Sequence, residues 1–197
     1  MSRAQSLDPD ARRAQLLAAA LSVFARKGYH GASVSDILDA AGVARGTFYN
    51  YFEGKREAFD AVAEALMETV TAAVVPIDVA RPIPDQVRDN IARLVEVLLD
   101  QGEGVRVLFL DAAGIDEEGT TALVTFYERA TGRIERALRT GQRLGVVRDC
   151  DAKLTATCLL GMLKEPVLQG LLRGKPPDAR KLADEIYALL TLGVVGR

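Results

Sequence analysis

The chain has few of the side chains that most often carry chemistry. Among its 197 residues there is no tryptophan, a single histidine and two cysteines. The histidine, His30, follows Gly28 and Tyr29 in a predicted loop, where a lone imidazole is normally just solvated. The sequence also has no Glu-x-x-His pair, no glycine-rich phosphate loop and no plausible nucleophile with its base. It therefore argues against an enzyme and predicts no catalytic residue, no metal site and no cofactor.

The two cysteines, Cys150 and Cys158, have a spacing that fits neither a zinc knuckle nor a C-x-x-C redox motif. On one helix they would lie two turns apart, which is too far for a disulfide. Two incidental thiols in a reducing compartment are favoured over a redox sensor.

Long uncharged apolar runs are lacking as well, since none reaches the roughly 18 residues that a membrane helix needs. Residues 14–25, preceded by Arg12 and Arg13, are similar in pattern to the start of a signal peptide. However, the leucines in this run recur at helical spacing, and Arg26 and Lys27 follow it. We therefore expect an amphipathic helix of a cytoplasmic protein, neither secreted nor membrane-anchored.

Strong net charge is also missing, because the formal charge is only −2. Residues 1–60 contain eight Lys and Arg against seven Asp and Glu, and residues 61–197 contain 17 against 20. This weak asymmetry favours local phosphate contacts over a basic field around the whole molecule.

The most informative segment is residues 33–55, SVSDILDAAGVARGTFYNYFEGK. Ser33 is a favourable N-cap with Asp36 three residues later, the pattern of a capping box. The apolar stripe of the helix that follows is Val34, Ile37, Leu38 and Ala41. Gly42 can adopt the left-handed conformation that ends this helix, and a second helix is predicted to begin near Ala44. Two short helices around a tight turn are typical of a DNA-binding helix-turn-helix.

On the second helix, Phe48 and Phe52 lie one turn apart and are predicted to be buried. The outward face is then Arg45, Gly46, Thr47, Tyr49 and Asn50. These residues suit a duplex, because guanidinium and amide groups recognise base edges, hydroxyl groups bind phosphate oxygens, and glycine permits close approach. Lys55 is predicted in the first turn of the next helix, where its ammonium and the backbone N–H groups can bind one phosphate.

The alternative for this segment is a helical hairpin that merely packs, with Tyr49 and Tyr51 in its core. Packing is favoured for Tyr51, which is next to Phe52. A DNA contact is favoured for Tyr49, because two phenylalanines already supply the buried face.

Together the motifs FARKGYHGASV, DILDAAGV and GTFYNYFEGKREAF resemble the tetracycline-repressor (TetR) family of bacterial regulators over residues 12–65. The resemblance implies an all-α dimer with a homeodomain-like helix-turn-helix domain, residues 1–54, and a helical ligand-binding and dimerisation domain, residues 55–197. It also implies that operator DNA is released when a small ligand binds. The DNA-contacting residues are then predicted to be Ser33, Arg45, Gly46, Thr47, Tyr49, Asn50 and Lys55. Ala44 departs from the Ser or Thr usual at this N-cap, at a cost of about 1 kcal/mol of local helix stability.

Helical periodicity continues through the rest of the chain, with no strand-like alternation of useful length. A long helix is predicted up to about residue 75, and three prolines then mark a loop. Further helices are predicted at about residues 85–100, 105–113, 118–144, 152–172 and 177–194.

The last two of these helices are more apolar than a single solvent-facing helix needs, so something must cover them. Two helices from each protomer, forming a four-helix bundle across a two-fold axis, would do so and would make a homodimer. The alternative is that they complete the core of a monomer.

Pro166 lies within the penultimate helix, where it is predicted to introduce a kink that can frame a cavity. The candidates to line this cavity are Met67, Phe109, Phe126, Tyr127 and Met162. Each of them is equally well explained as ordinary core. Since few charged residues are expected there, an apolar small molecule is favoured as the ligand.

These observations predict a homodimeric, ligand-responsive transcription regulator, most simply a repressor. A ligand would act by changing the spacing of the two DNA-binding helices. The competing hypothesis is a helical adaptor that binds proteins and not DNA.

Overall fold

The computed structural model describes residues 8–111 and 117–192, and over these residues it contains helices and no strand. The helices are α1 (Pro9–Gly31), α2 (Val34–Ala41), α3 (Arg45–Tyr49), α4 (Lys55–Ala72), α5 (Ile83–Asp100), α6 (Gly102–Arg106), α7 (Glu117–Arg143), α8 (Ala152–Leu172) and α9 (Ala179–Thr191). A π-helical turn, Val107–Asp111, follows α6. The predicted all-α fold is confirmed.

The ends of the helices follow from local residues. Pro9 occupies the first turn of α1, and the Asp8 carboxylate accepts a hydrogen bond from the Asp10 N–H at 3.2 Å. Near its other end α1 is kinked at Gly28, whose φ of 68° is a conformation that favours glycine. Asp151 and Asp178 cap α8 and α9 through their carboxylates.

Helix α6 differs from the prediction, which placed a helix at residues 105–113. It begins at Gly102 and passes into the π-helical turn, and residues 112 and 113 lie outside the described part of the chain. Glycine disfavours a helix interior, so Gly102 and Gly104 concealed the helical pattern. Both allow close packing, since a β-carbon at Gly102 would lie 3.0 Å from the Leu171 side chain, and Gly104 is buried beside Leu66.

Helices α4 and α9 are shorter than predicted. Helix α4 ends at Ala72 instead of residue 75, and the backbone N–H and C=O of Val75 pair instead with the Asn90 side-chain amide at 2.9 and 2.8 Å. Helix α9 begins at Ala179 because Asp178 caps it, and the predicted end at residue 194 lies outside the described residues.

Three clusters of buried apolar residues hold the helices together. The first joins α1, α2, α3 and the first two turns of α4, the second joins α5, α8 and α9, and the third joins α4, α6 and α8. Helix α4 contributes to the first cluster through Phe59 and Val62 and to the third through Leu66. It therefore connects the N-terminal helices mechanically to the rest of the chain.

The segment before α8 contains the half-buried Cys150, and α8 itself carries the exposed Cys158; both are free thiols. No helix in the described part of the chain is long and apolar enough to cross a membrane.

Candidate nucleic-acid interface

Ser33 and Asp36 cap the N-terminus of α2 reciprocally. The Asp36 N–H donates to Ser33 Oγ at 3.2 Å, and the Asp36 carboxylate accepts from the Ser33 N–H at 3.0 Å and from its hydroxyl at 2.8 Å. Lys27 donates to Asp36 Oδ1 at 2.6 Å. The Lys27 bond first, and then those from Ser33, lower the pKa of Asp36 to about 2. The predicted capping box is confirmed, and the Ser33 hydroxyl is already bonded within it.

The turn between α2 and α3 is built on Gly42. Its φ of 64° and ψ of 37° are left-handed, and the next residue, Val43, donates its N–H to the Leu38 carbonyl at 3.2 Å. Helix α3 then begins after Ala44, which supplies no side-chain cap. The predicted turn and the uncapped start of α3 are both confirmed.

Phe48 and Phe52 point into the first cluster, with exposed fractions of 0% and 2%. Their ring centroids are 5.5 Å apart. Tyr51 is half-buried and packs against the same cluster, as predicted. The inward face of α3 is therefore filled by the residues that the sequence assigned to it.

The outward face of α3 is correspondingly accessible. Tyr49 is 45% exposed, Arg45, Gly46 and Asn50 are exposed, and Thr47 is half-buried. The Arg45 guanidinium lies 5.7 Å from the centroid of the Tyr49 ring, in cation–π contact. A β-carbon at Gly46 would meet no described atom within 4 Å, so the described residues leave this part of the face open. The hypothesis that Tyr49 belongs to the core is wrong.

Lys55 reaches back to the C-terminal end of α1. Its Nζ donates to the Tyr29 carbonyl at 2.7 Å and to the Ala32 carbonyl at 2.8 Å, and it lies 4.4 Å from the centroid of the Tyr29 ring. A cation in this position neutralises the partial negative charge of the helix end. The ammonium therefore fixes the start of α4 against α1, a contact that the sequence did not reveal.

A second long-range contact was missed in the same domain. The Gln15 side chain donates from Nε2 to the Ala41 carbonyl at 2.8 Å and so ties α1 to the end of α2. These residues are 26 positions apart, and no local pattern marks the pair.

In the C-terminal part, the structure brings together three of the five predicted ligand-binding residues. The ring centroids of Phe109, Phe126 and Tyr127 are 5.5, 5.7 and 6.2 Å apart in pairs, and we call this group the aromatic cluster. Met67 is buried on α4, whereas Met162 packs in the second apolar cluster with α5 and α9. Ligand binding by these five residues stays a prediction.

Lys164 of α8 lies beside the aromatic cluster and was not predicted. Its Nζ is 5.3 Å from the centroid of Phe109 and donates to the Tyr127 hydroxyl at 3.3 Å. Its signal in the sequence is a lysine that interrupts the apolar middle of α8.

Comparison with known proteins agrees with this geometry. The family profile described as "Bacterial regulatory proteins, tetR family" matches residues 16–62, and "Tetracyclin repressor-like, C-terminal domain" matches residues 80–167. The HTH-type transcriptional repressor SCO4008 of Streptomyces coelicolor is 34% identical over 144 residues, which are 72% of this chain and 70% of that protein.

Two solved structures share the fold over nearly the whole chain. The fatty acid degradation regulator FadR from Bacillus halodurans has a TM-score of 0.79 at 23% identity and covers 98% of this chain and 100% of its own. FadR from Bacillus subtilis in complex with stearoyl-CoA has a TM-score of 0.78 at 22% identity, covering 92% and 99% respectively. The chain therefore belongs to the TetR family of bacterial regulatory proteins and is a DNA-binding transcription regulator, not an enzyme.

Proposed function

We propose that the chain is a homodimeric cytoplasmic repressor that binds operator DNA through α3 and releases it when a small molecule binds to its C-terminal domain. The observation that carries the proposal is that one face of α3 is buried in the core while the other is exposed. Phe48 is fully buried, whereas its neighbours Tyr49 and Asn50 are exposed. A short helix anchored in this way can lay its outer face in a major groove.

The outward side chains divide by chemistry. Arg45, Thr47 and Asn50 have the donors and acceptors that recognise base edges, and we assign sequence preference to them. Tyr49 supplies a hydroxyl for phosphate, and the absence of a side chain at Gly46 permits close approach.

The N-termini of α2 and α4 supply the remaining phosphate contacts. Gly54 gives α4 no side-chain cap, and the N-terminus of an uncapped helix attracts a phosphate oxygen. Lys55 uses two of its three ammonium N–H donors on backbone carbonyls, which leaves one for the same phosphate. Ser33 would contribute at the start of α2, mainly through the helix end that its capping box holds in place.

The dimer is supported by the apolar surface that α8 and α9 leave uncovered. Within a single chain these two helices and the residues that end them expose several large side chains, namely Leu154, Leu172, Leu189, Leu190 and Leu192. The residues that the structure describes leave these side chains exposed, which favours a four-helix bundle between two protomers. The bundle would set the two α3 helices about 34 Å apart, one turn of DNA.

Light scattering coupled to size-exclusion chromatography tests the dimer. The wild type is expected at twice the chain mass of 21.2 kDa at micromolar concentration. Leu190→Glu should shift the mass to that of one chain, whereas Leu144→Glu, at an exposed leucine just beyond α7, should not. A wild type that is monomeric at this concentration would rule out the dimer.

Helix α4 can transmit the effect of a bound ligand to the DNA-binding helices, because it packs against both parts of the chain. An apolar gap between α4, α6 and the π-helical turn, lined in part by Phe59, Leu66 and Leu108, has no room even for a water molecule. A ligand that packs an apolar part between α4 and its neighbours would therefore have to move α4. Since Phe59 also belongs to the core of the N-terminal domain, that movement would change the position of α3.

On this proposal residues 1–54 form the DNA-binding domain and residues 55–197 the ligand-binding and dimerisation domain, with α4 packed against both. The complex of Bacillus subtilis FadR with stearoyl-CoA, a protein of the same fold, supports a ligand with an apolar chain. The repressor name of the Streptomyces coelicolor relative supports repression.

Selection of bound duplexes from a random library tests DNA binding and yields the operator. A single enriched motif, repeated as two half-sites, is the expected result. The rival hypothesis, a protein-binding adaptor, predicts no enriched motif and no gel shift at low salt with DNA from upstream of the coding region. That outcome would reject the proposal.

A further inference from the structure

An open groove of about 320 Å³ runs along α7. Its lining residues are Thr125, Glu128, Arg129, Arg133 and Arg136. The three arginines share one face of the helix because they are spaced by four and three residues. Guanidinium groups arranged in this way are typical of sites for phosphate, since their planar forks match pairs of phosphate oxygens.

Two of these three cations form no direct ion pair in the described part of the chain, and the charge of one of them, Arg133, helps to lower the pKa of Glu64. Arg133 and Arg136 are exposed and form no hydrogen bond or ion pair with any residue that the structure describes. Glu128 is the only carboxylate in the lining, against three guanidinium groups. The lining therefore has positive charge available for an anion.

The third cation, Arg129, connects the groove to α4. Its Nη2 donates to Glu64 Oε1 at 2.7 Å, and its Nη1 donates to Glu64 Oε2. The bond lowers the pKa of Glu64 and raises that of Arg129, and the Glu68 charge adds to the second effect. This bidentate pair joins α7 to the helix that packs against the DNA-binding domain.

The groove also adjoins the aromatic cluster. Phe126 precedes Arg129 by three residues, so the two side chains are neighbours on the surface of α7. Phe126 and Phe109 pack in turn against the third apolar cluster, which includes Leu66 of α4 and Leu168 of α8. One ligand could thus contact arginines at one end and apolar side chains at the other.

We propose that the α7 groove binds the phosphate-bearing end of the effector while the aromatic cluster holds its apolar end, and that the phosphate draws Arg129 away from Glu64. This inference rests on the proposed function, because it assumes a ligand that controls DNA binding. The effector is then an amphiphile with at least one phosphate group, and its anionic end acts on α4 by competing for the ion pair.

Isothermal titration calorimetry with the full-length dimer tests the groove. The probes are stearoyl-coenzyme A, free coenzyme A and inorganic pyrophosphate. The variants are Arg133→Gln/Arg136→Gln and, as a control, Arg173→Gln at the C-cap of α8. The wild type is expected to bind both coenzyme A probes. The double variant should bind each of the two coenzyme A probes about tenfold more weakly or worse, as expected for the loss of charge-assisted bonds. Arg173→Gln, at an exposed arginine whose side chain donates to Gln169, should change the affinity for neither coenzyme A probe.

Three outcomes would overturn the proposal that the α7 groove binds the phosphate-bearing end of the effector. These are a wild type that binds neither coenzyme A probe, a double variant that binds them as tightly as the wild type does, and binding of pyrophosphate alone, which would mark an adventitious ion only.

Fluorescence anisotropy with the selected operator tests the coupling. Glu64→Gln loses the charge that holds Arg129, so it should weaken operator binding without any ligand, whereas Glu96→Gln, at an exposed residue of α5, should not. Unchanged affinity of Glu64→Gln would overturn the coupling. Wild-type affinity without ligand is measured in the same experiment, so a failure of the proposed function is seen separately, as absence of binding to any duplex.

Discussion

Replacing Phe48 and Tyr49 in turn gives the sharpest stability prediction, because adjacent aromatic residues should behave in opposite ways. Phe48 is fully buried, and Phe→Ala in a core costs about 3–5 kcal/mol. For a chain of this length 1 kcal/mol corresponds to about 2–4 °C in Tm, so Phe48→Ala should lower Tm by about 6–20 °C. Tyr49 is 45% exposed. Its replacement by Ala should change the free energy of unfolding by about 0.5 kcal/mol or less, which is under about 2 °C.

Thermal unfolding followed by circular dichroism measures both variants. Operator affinity should show the reverse pattern at a temperature where both remain folded, with Tyr49→Ala weakened by loss of its phosphate contact. Equal losses of Tm in the two variants, or a larger loss for Tyr49→Ala, would refute the assignment of inner and outer faces.

Three further changes test the N-terminal domain. Ala44→Ser should supply the missing cap of α3 and raise the free energy of unfolding by about 1 kcal/mol, seen as a higher Tm in calorimetry; a lower Tm would contradict the helix start. The pKa of Asp36 falls from 3.8 to about 2 on folding, so its contribution to stability is complete above pH 3.8 and is lost as the pH falls through 2. The Tm difference between wild type and Asp36→Asn should shrink over that interval, and a constant difference would exclude the linkage. Lys55→Ala should weaken binding to every duplex and reduce the salt slope by about one unit; anisotropy that shows an unchanged slope would leave Lys55 with only its bonds to the two backbone carbonyls.

The helix-turn-helix could be predicted from sequence because short-range physics determines it. The capping box of Ser33 and Asp36 spans three residues, Gly42 provides a backbone conformation that favours glycine, and Phe48 and Phe52 are separated by one turn. Each feature is readable within a few positions. The face of α3 that remains accessible follows from these local constraints.

The contacts that escaped prediction join distant parts of the chain. The sequence places Lys55 at a helix start, where a phosphate contact is the local expectation, but its ammonium meets carbonyls 23 and 26 positions away. Gly102 obscured the start of α6 because its advantage lies in packing against Leu171, which no helix propensity records. Such contacts depend on tertiary packing.

The C-terminal domain shows the same limit for the candidate ligand site. Apolar character alone grouped Met162 with Phe109, yet Met162 packs in a different cluster. The arginines of α7 were visible in the sequence, but their position beside Phe126 and opposite Glu64 required the arrangement of α4 against α7.

The central claim, that the outer face of α3 recognises a base sequence, is tested most directly by one affinity ratio. Fluorescence anisotropy at fixed salt would compare wild type and Asn50→Ala on the selected operator and on a scrambled duplex of equal length. If Asn50 contacts a base edge, its loss should reduce the preference for the operator by about 1–3 kcal/mol, roughly 5- to 150-fold, while affinity for the scrambled duplex changes little. An unchanged preference, or an equal loss on both duplexes, would contradict base recognition by Asn50 on this face.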